Sequence, residues 1–117
     1  MKLISTSLIV EKKSKFYGYL YFLNSSDEVK VILNTIKKEH KKAVHYPYAY
    51  ILLNTASKTD DKEPHNTAGI QILNVLKRNN LNSHILVIAR YFGGTKLGAP
   101  TLLRTYAKCA NECIKKT

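Results

Sequence analysis

Ile85-Leu86-Val87-Ile88-Ala89 is an unbroken apolar run lying just ahead of a glycine-rich segment, and it constrains the fold more than any other feature. Its length suits a strand and is too short for a stable helix. Apolar residues at every position, rather than every second one, mark a buried strand. The chain continues Arg90-Tyr91-Phe92-Gly93-Gly94-Thr95-Lys96-Leu97-Gly98-Ala99-Pro100-Thr101. Gly93, Gly94 and Gly98 mark a turn, since glycine reaches backbone conformations closed to other residues. Pro100 fits the first turn of a helix, where its missing N–H costs nothing. That helix is predicted from about Ala99 to Lys115, with Leu102, Leu103, Tyr106, Ala107 and Ala110 on its apolar side.

The remaining elements follow from pattern. Residues 2–10 and 16–23 are β-rich, with Glu11-Lys12-Lys13-Ser14 as the turn between them. Asn24, Ser25 or Ser26 can cap a first helix, with Asp27 and Glu28 in its first turn and Lys37 and Lys38 at its end, as the helix dipole favours. Val29, Ile32, Leu33 and Ile36 give its buried stripe. A third strand is expected over Tyr46 to Asn54, then an exposed polar loop over residues 55–65. Asn66 or Thr67 can cap a second helix carrying Ile70, Ile72, Leu73 and Leu76. The order β-β-α-β-α-β-α predicts an α+β two-layer sandwich: a four-stranded sheet with three helices on one face. The 117 residues suit one domain, 1–117, with a core of its own.

Lys and Arg number 19 against eight Asp and Glu, a net charge of +11. That balance favours anionic partners such as RNA, DNA, the ribosome or an acidic protein. The same lysines could equally serve solubility. No apolar run is long enough to span a membrane, and the N-terminus lacks the pattern of a signal peptide. Cys109 and Cys113 are too few for a disulfide framework or a structural zinc site, so a reducing, cytoplasmic setting is expected.

The glycine turn has the ingredients of an anion site. Its backbone can approach a ligand closely, a helix N-terminus follows, and Arg90, Lys96 and Arg104 add charge. A structural turn needing glycine explains the same pattern. Neither a Walker motif nor a dinucleotide-binding Gly-x-Gly-x-x-Gly is present. Asp60, Asp61, Glu63 and His65 form a second polar cluster with Thr67 close behind. A flexible loop that also holds Lys62 would preorganise a metal poorly, so a solvated loop with a helix cap is expected. His45 precedes Tyr46, Tyr48 and Tyr50, while Tyr17, Tyr19 and Tyr21 share one face of a strand. Such aromatics can stack on bases or pack a sheet. Cys109 and Cys113 share a helix face as packing residues. No catalytic set, metal site or cofactor motif is found.

Several segments together resemble one family. Lys13-Ser14-Lys15-Phe16, Ala43-Val44-His45, Tyr48-Ala49-Tyr50, Asp60-Asp61-Lys62-Glu63-Pro64-His65-Asn66-Thr67-Ala68-Gly69, Arg90 to Gly98 and Arg104-Thr105-Tyr106 resemble, in order, the motifs of the Impact N-terminal domain family. The likeness covers about residues 10–115, in a single-domain form. It implies a ribosomal-protein-S5-domain-2-like fold. It also implies kinship with eukaryotic translational regulators that bind the activator of the eIF2α kinase of amino-acid starvation. Lys62 and Asn66 stand where the family pattern has glycine. Ala99-Pro100-Thr101 stands where it often has Ala/Thr-Gly-Gly, and Pro100 removes an N–H from the anion site.

The expected function is a non-enzymatic binding module linked to translation, holding nucleic acid or the ribosome. Arg90, Gly93, Gly94, Lys96, Gly98 and Arg104 would form its anion site, extended by Lys13 and Lys15. A regulator of an acidic protein partner is the alternative. An enzyme on a phosphorylated small molecule, using His45, Asp60, Asp61 and Glu63, is the third reading. It requires those residues to converge with the glycine turn.

Overall fold

A computed structural model describes Met1–Thr117. Five strands form one antiparallel sheet: β1 (Lys2–Glu11), β2 (Ser14–Phe22), β3 (Tyr48–Leu52), β4 (Thr55–Thr59) and β5 (His84–Tyr91), in the order β1-β2-β5-β3-β4. Three helices accompany them: α1 (Asp27–Glu39), α2 (Gly69–Arg78) and α3 (Ala99–Lys115).

The apolar run lies in the central strand, and its two faces have different cover. Leu86 and Ile88 join Phe16 and Leu20 of β2 and Ala49 and Ile51 of β3 against α2 and α3. Ile85, Val87 and Ala89 point the other way, against Val29, Ile32 and Ile36 of α1. The mixed α+β class stands, but the expected two layers with all helices on one face do not. A central strand apolar on both faces requires cover on both. α1 supplies one side and the α2–α3 pair the other, giving three layers.

The sheet also has five strands rather than four. Leu53 and Asn54, both at positive φ (50° and 65°), make a two-residue turn that returns the chain as β4. Positive φ at both central residues is the geometry that matches strand twist in tight hairpins. β4 reads Thr-Ala-Ser-Lys-Thr and lies at the sheet edge, so it has no apolar alternation to reveal it.

At the opposite edge, β1 is tied to α3. Ser7 Oγ donates to the Cys109 carbonyl at 2.9 Å and lies 3.1 Å from Cys113 Sγ. A side chain on Gly18 would collide with Ser7 Oγ and both sulfurs, so β2 needs glycine there. Burial pushes the Cys109 thiol up to about 12, and Cys113 rises for the same reason. The two cysteines are packed, unreactive thiols.

Candidate functional site

Residues 60–69, expected to be a solvated loop, are tightly organised. Asp60 and not Asn66 or Thr67 caps α2: its carboxylate accepts from the N–H groups of Asn66 (3.0 Å), Ala68 (3.1 Å) and Gly69 (2.8 Å). Ala68 occupies the N-cap position and has no side chain for the task. Burial pushes the Asp60 carboxyl up, yet these three donors outweigh it and hold the group below its ordinary value. Asp61 accepts from the Tyr46 N–H at 2.7 Å. Thr67 is buried and donates to the Pro64 carbonyl, a turn contact. Lys62 and Asn66 sit at φ 70° and 61°, the left-handed region that glycine occupies without strain.

Glu63 turns inward and is only 7% exposed. Its two oxygens accept from Arg90 Nη1 at 2.9 and 2.7 Å, and the Tyr106 hydroxyl donates to Oε2. Arg90, itself 5% exposed, lies over the Phe16 ring with its Nε buried and without an acceptor. Burial first, and the Glu63 charge second, raise Tyr106 well above its ordinary value, so it remains a protonated donor. His45 bridges to Arg90 through the backbone. Its Nδ1 lies 2.8 Å from the Asp61 carbonyl, which can only accept, so Nδ1 carries a proton. Nε2 is left 3.5 Å from Glu63 Oε1.

Above this network lies a cleft of about 340 Å³, lined by His45, Lys62, Glu63, Pro64, Arg90, Phe92, Lys96, Leu97 and Leu102. Glu63 is held by several donors and is no free base. No three His, Cys, Asp or Glu side chains converge as metal ligands.

The expected anion site is thus rearranged. Arg90 is buried in an ion pair and is not a surface cation. Lys96 lines the cleft, whereas Arg104 lies in a separate groove with Glu11 and Lys108. Gly93 is glycine because a Cβ there would come within 2.2–2.6 Å of the Lys13–Ser14 backbone. Its N–H donates to Ser14 Oγ at 3.1 Å. That contact brings the Lys12–Lys13 turn to the same end of the molecule. Gly94 holds φ +97° in open space, and Gly98 is the extended N-cap of α3. Lys15 pairs with Tyr91 and so faces the α1 side, away from the cleft. Asp60 and Asp61 are engaged by the backbone, so of the acidic cluster only Glu63 reaches the cleft. Sequence reading took Tyr106 as apolar packing and missed the contribution of Phe92. The Arg-x-Tyr spacing on α3 was the available signal for Tyr106.

A second polar cluster escaped the sequence altogether. His40, just past α1, is buried with Nδ1 2.7 Å from the Tyr91 hydroxyl and Nε2 against the Tyr19 hydroxyl. Tyr19 in turn donates to Glu39 at 3.2 Å. One neutral tautomer satisfies every partner: Tyr91 donates to His40, His40 to Tyr19, and Tyr19 to Glu39. The Tyr17 ring stands 4.7 Å from the imidazole. Burial and the Glu39 charge raise Tyr19 above its ordinary value.

Comparison with known proteins gives a consistent picture. The family model of the Impact N-terminal domain matches residues 12–114. IMPACT family member YvyE of Bacillus subtilis is 39% identical over 107 residues, covering 89% of this chain and 49% of that protein. A Haemophilus influenzae IMPACT family member is 31% identical, covering 89% and 53%. The chain therefore spans about half the length of these relatives. A solved hypothetical protein superposes with TM-score 0.86 at 26% identity, covering 97% of this chain and 59% of that one. The two-domain translational regulator Yih1 shares the fold with TM-score 0.60 at 22% identity, covering 97% and 46%. Matched by that family model over nearly its whole length, this chain belongs to the Impact N-terminal domain family.

Proposed function

We propose that this chain is a non-enzymatic binding module in translation or its regulation, and that its basic end docks the phosphate backbone of RNA. The carrying observation is how charge is distributed at that end. Asp60 and Asp61 accept backbone N–H groups, and Glu63 is buried against Arg90. Lys12, Lys13, Lys62 and Lys96 are exposed there, and no carboxylate pairs with any of them. Phe92, 51% exposed, stands among them as a surface on which a base can stack. Interleaved cations and an aromatic suit a phosphate-bearing strand. The S5-domain-2-like assignment and the cytoplasmic setting belong to the same reading. Its link to translation draws on Yih1, a translational regulator.

A protein partner is the second reading. It is favoured by the β1–β2 face that α1 leaves open, where Leu8 and Val10 are about half exposed. Fluorescence anisotropy with labelled single-stranded RNA across a salt titration decides between them. RNA docking predicts affinity that falls steeply with salt, and a log–log slope reduced by about 0.7 for each of Lys13→Ala and Lys96→Ala. Undetectable or salt-insensitive binding overturns it. A partner recovered after nuclease treatment then supports the second reading.

A further inference from the structure

We propose that the cleft above Arg90 is a phosphate-ester site: Arg90, Lys62 and Lys96 hold the phosphate, and Phe92 and His45 face the organic part. The proposal deepens the RNA reading and rests on it for the nature of the ligand. It begins from the donors of Arg90. A guanidinium carries five N–H bonds. Both hydrogen bonds to Glu63 come from Nη1. Nε is sealed from solvent without an acceptor, and Nη2 has no protein acceptor. A buried donor without a partner is costly, and a charged oxygen is the partner that relieves it most. Arg90 lines the cleft, so a ligand there can supply an oxygen to Nη2, while the sealed Nε–H reports any change at the guanidinium.

The surroundings select an anion. Glu63 neutralises Arg90, which leaves Lys62 and Lys96 as uncompensated positive charge at the mouth. His45 is fixed through Nδ1–H, so its Nε2 faces the cleft as an acceptor suited to a hydroxyl of the organic part. Leu97 and Leu102 carry the wall into the first turn of α3, whose N-cap makes no side-chain bond. That helix end adds a positive dipole at the rim. A carboxylate could use only part of this donor set, whereas tetrahedral phosphate oxygens can meet donors from several sides. The volume of about 340 Å³ falls at the small end of ligand sites, which run from roughly 300 to 1,000 Å³. It has room for one phosphate and a ring on Phe92. The phosphate can belong to a free nucleotide, a strand terminus or a strand interior.

The test is a ¹⁵N NMR titration that follows backbone amides and the Arg90 Nε–H. The ligands are inorganic phosphate, uridine 5′-monophosphate, and matched RNA oligonucleotides with a 5′-phosphate or a 5′-hydroxyl. Wild type is compared with the cleft variant Lys62→Ala/Lys96→Ala and the outlying variant Lys30→Ala/Lys38→Ala, whose lysines are exposed on α1 across the sheet. We expect the nucleotide to shift the Arg90 Nε–H saturably, with affinity reduced at least about tenfold in the cleft variant and unchanged in the outlying one. An equal shift from 5′-hydroxyl RNA identifies interior phosphates, and a shift confined to 5′-phosphorylated ligands identifies termini or free esters. An unmoved Arg90 Nε–H, or an equal response in the cleft variant, overturns the site. Salt-dependent RNA binding that leaves Arg90 unmoved removes the site but not the RNA reading. Nucleotide binding without RNA binding does the reverse.

Discussion

His45 and His40 lie on opposite faces of one sheet, and their surroundings differ in kind. His40 is enclosed by phenols, and a single neutral tautomer satisfies all of its neighbours. His45 has one fixed nitrogen, a second facing a carboxylate, and a buried guanidinium beside it with a donor left over. Satisfied polar groups add order to a core, whereas unsatisfied ones mark where a core gives way to a site. Lys12, Lys13, Lys62 and Lys96 stand exposed at the His45 end, none paired with a carboxylate. The open surface beside His40 instead carries Tyr17, Tyr19, Tyr21, Leu8 and Glu39, with Lys116 tied to the Thr6 carbonyl. The same sheet thus offers a packing cluster on one face and a docking end on the other.

The largest expected effect strikes the His45 side. Glu63→Ala leaves the Arg90 charge buried and unpaired, and should cost about 3–5 kcal/mol in denaturant unfolding. A loss under 1 kcal/mol would mean that solvent already reaches the pair, and the contrast with His40 would weaken. Asp60→Ala comes next at roughly 1–2 kcal/mol, the size of a lost helix cap. Its pH dependence has a definite sign. The folded carboxyl titrates below its ordinary value, so its contribution is full above about pH 4 and disappears as pH falls through the folded value. Acid unfolding of wild type and Asp60→Ala should therefore converge at low pH. Tyr91→Phe removes the donor to His40 Nδ1 and should cost about 1 kcal/mol while leaving RNA affinity unchanged. Loss of RNA binding in that variant would erase the functional difference between the two faces. The smallest effect separates stability from binding at one position. Lys62→Gly relieves a left-handed backbone and should raise stability by about 0.5–1 kcal/mol while lowering RNA affinity.

Much of the fold was readable where apolar pattern exists. Ile85 to Ala89 announced the central strand, and Val29, Ile32 and Ile36 announced α1. The same apolar run already implied cover on both faces, which the order of elements alone did not reveal. β4 was hidden because an edge strand of Thr, Ser and Lys has no apolar period, and its Leu53–Asn54 turn lacks glycine. In the site, Arg90, Glu63, Lys96 and His45 were singled out by type and motif, but their partnership was not visible. A buried ion pair between residues 27 apart depends on how the loop at 60–69 closes over β5. Gly93 was read as a ligand-facing residue, yet its cause is the Lys13–Ser14 backbone of another turn. His40 gave no signal because its partners come from β2, α1 and β5 together.

The central claim is that the docking end is the His45 side and not the tyrosine face. Chemical-shift mapping of the ¹⁵N-labelled chain against single-stranded RNA tests it most directly. The account predicts shifts concentrated at Lys12, Lys13, Lys62, Gly94 and Lys96, fading as salt is added, with Leu8, Tyr19 and Tyr21 still. Shifts centred on Leu8, Tyr19 and Tyr21, or none anywhere, would contradict it.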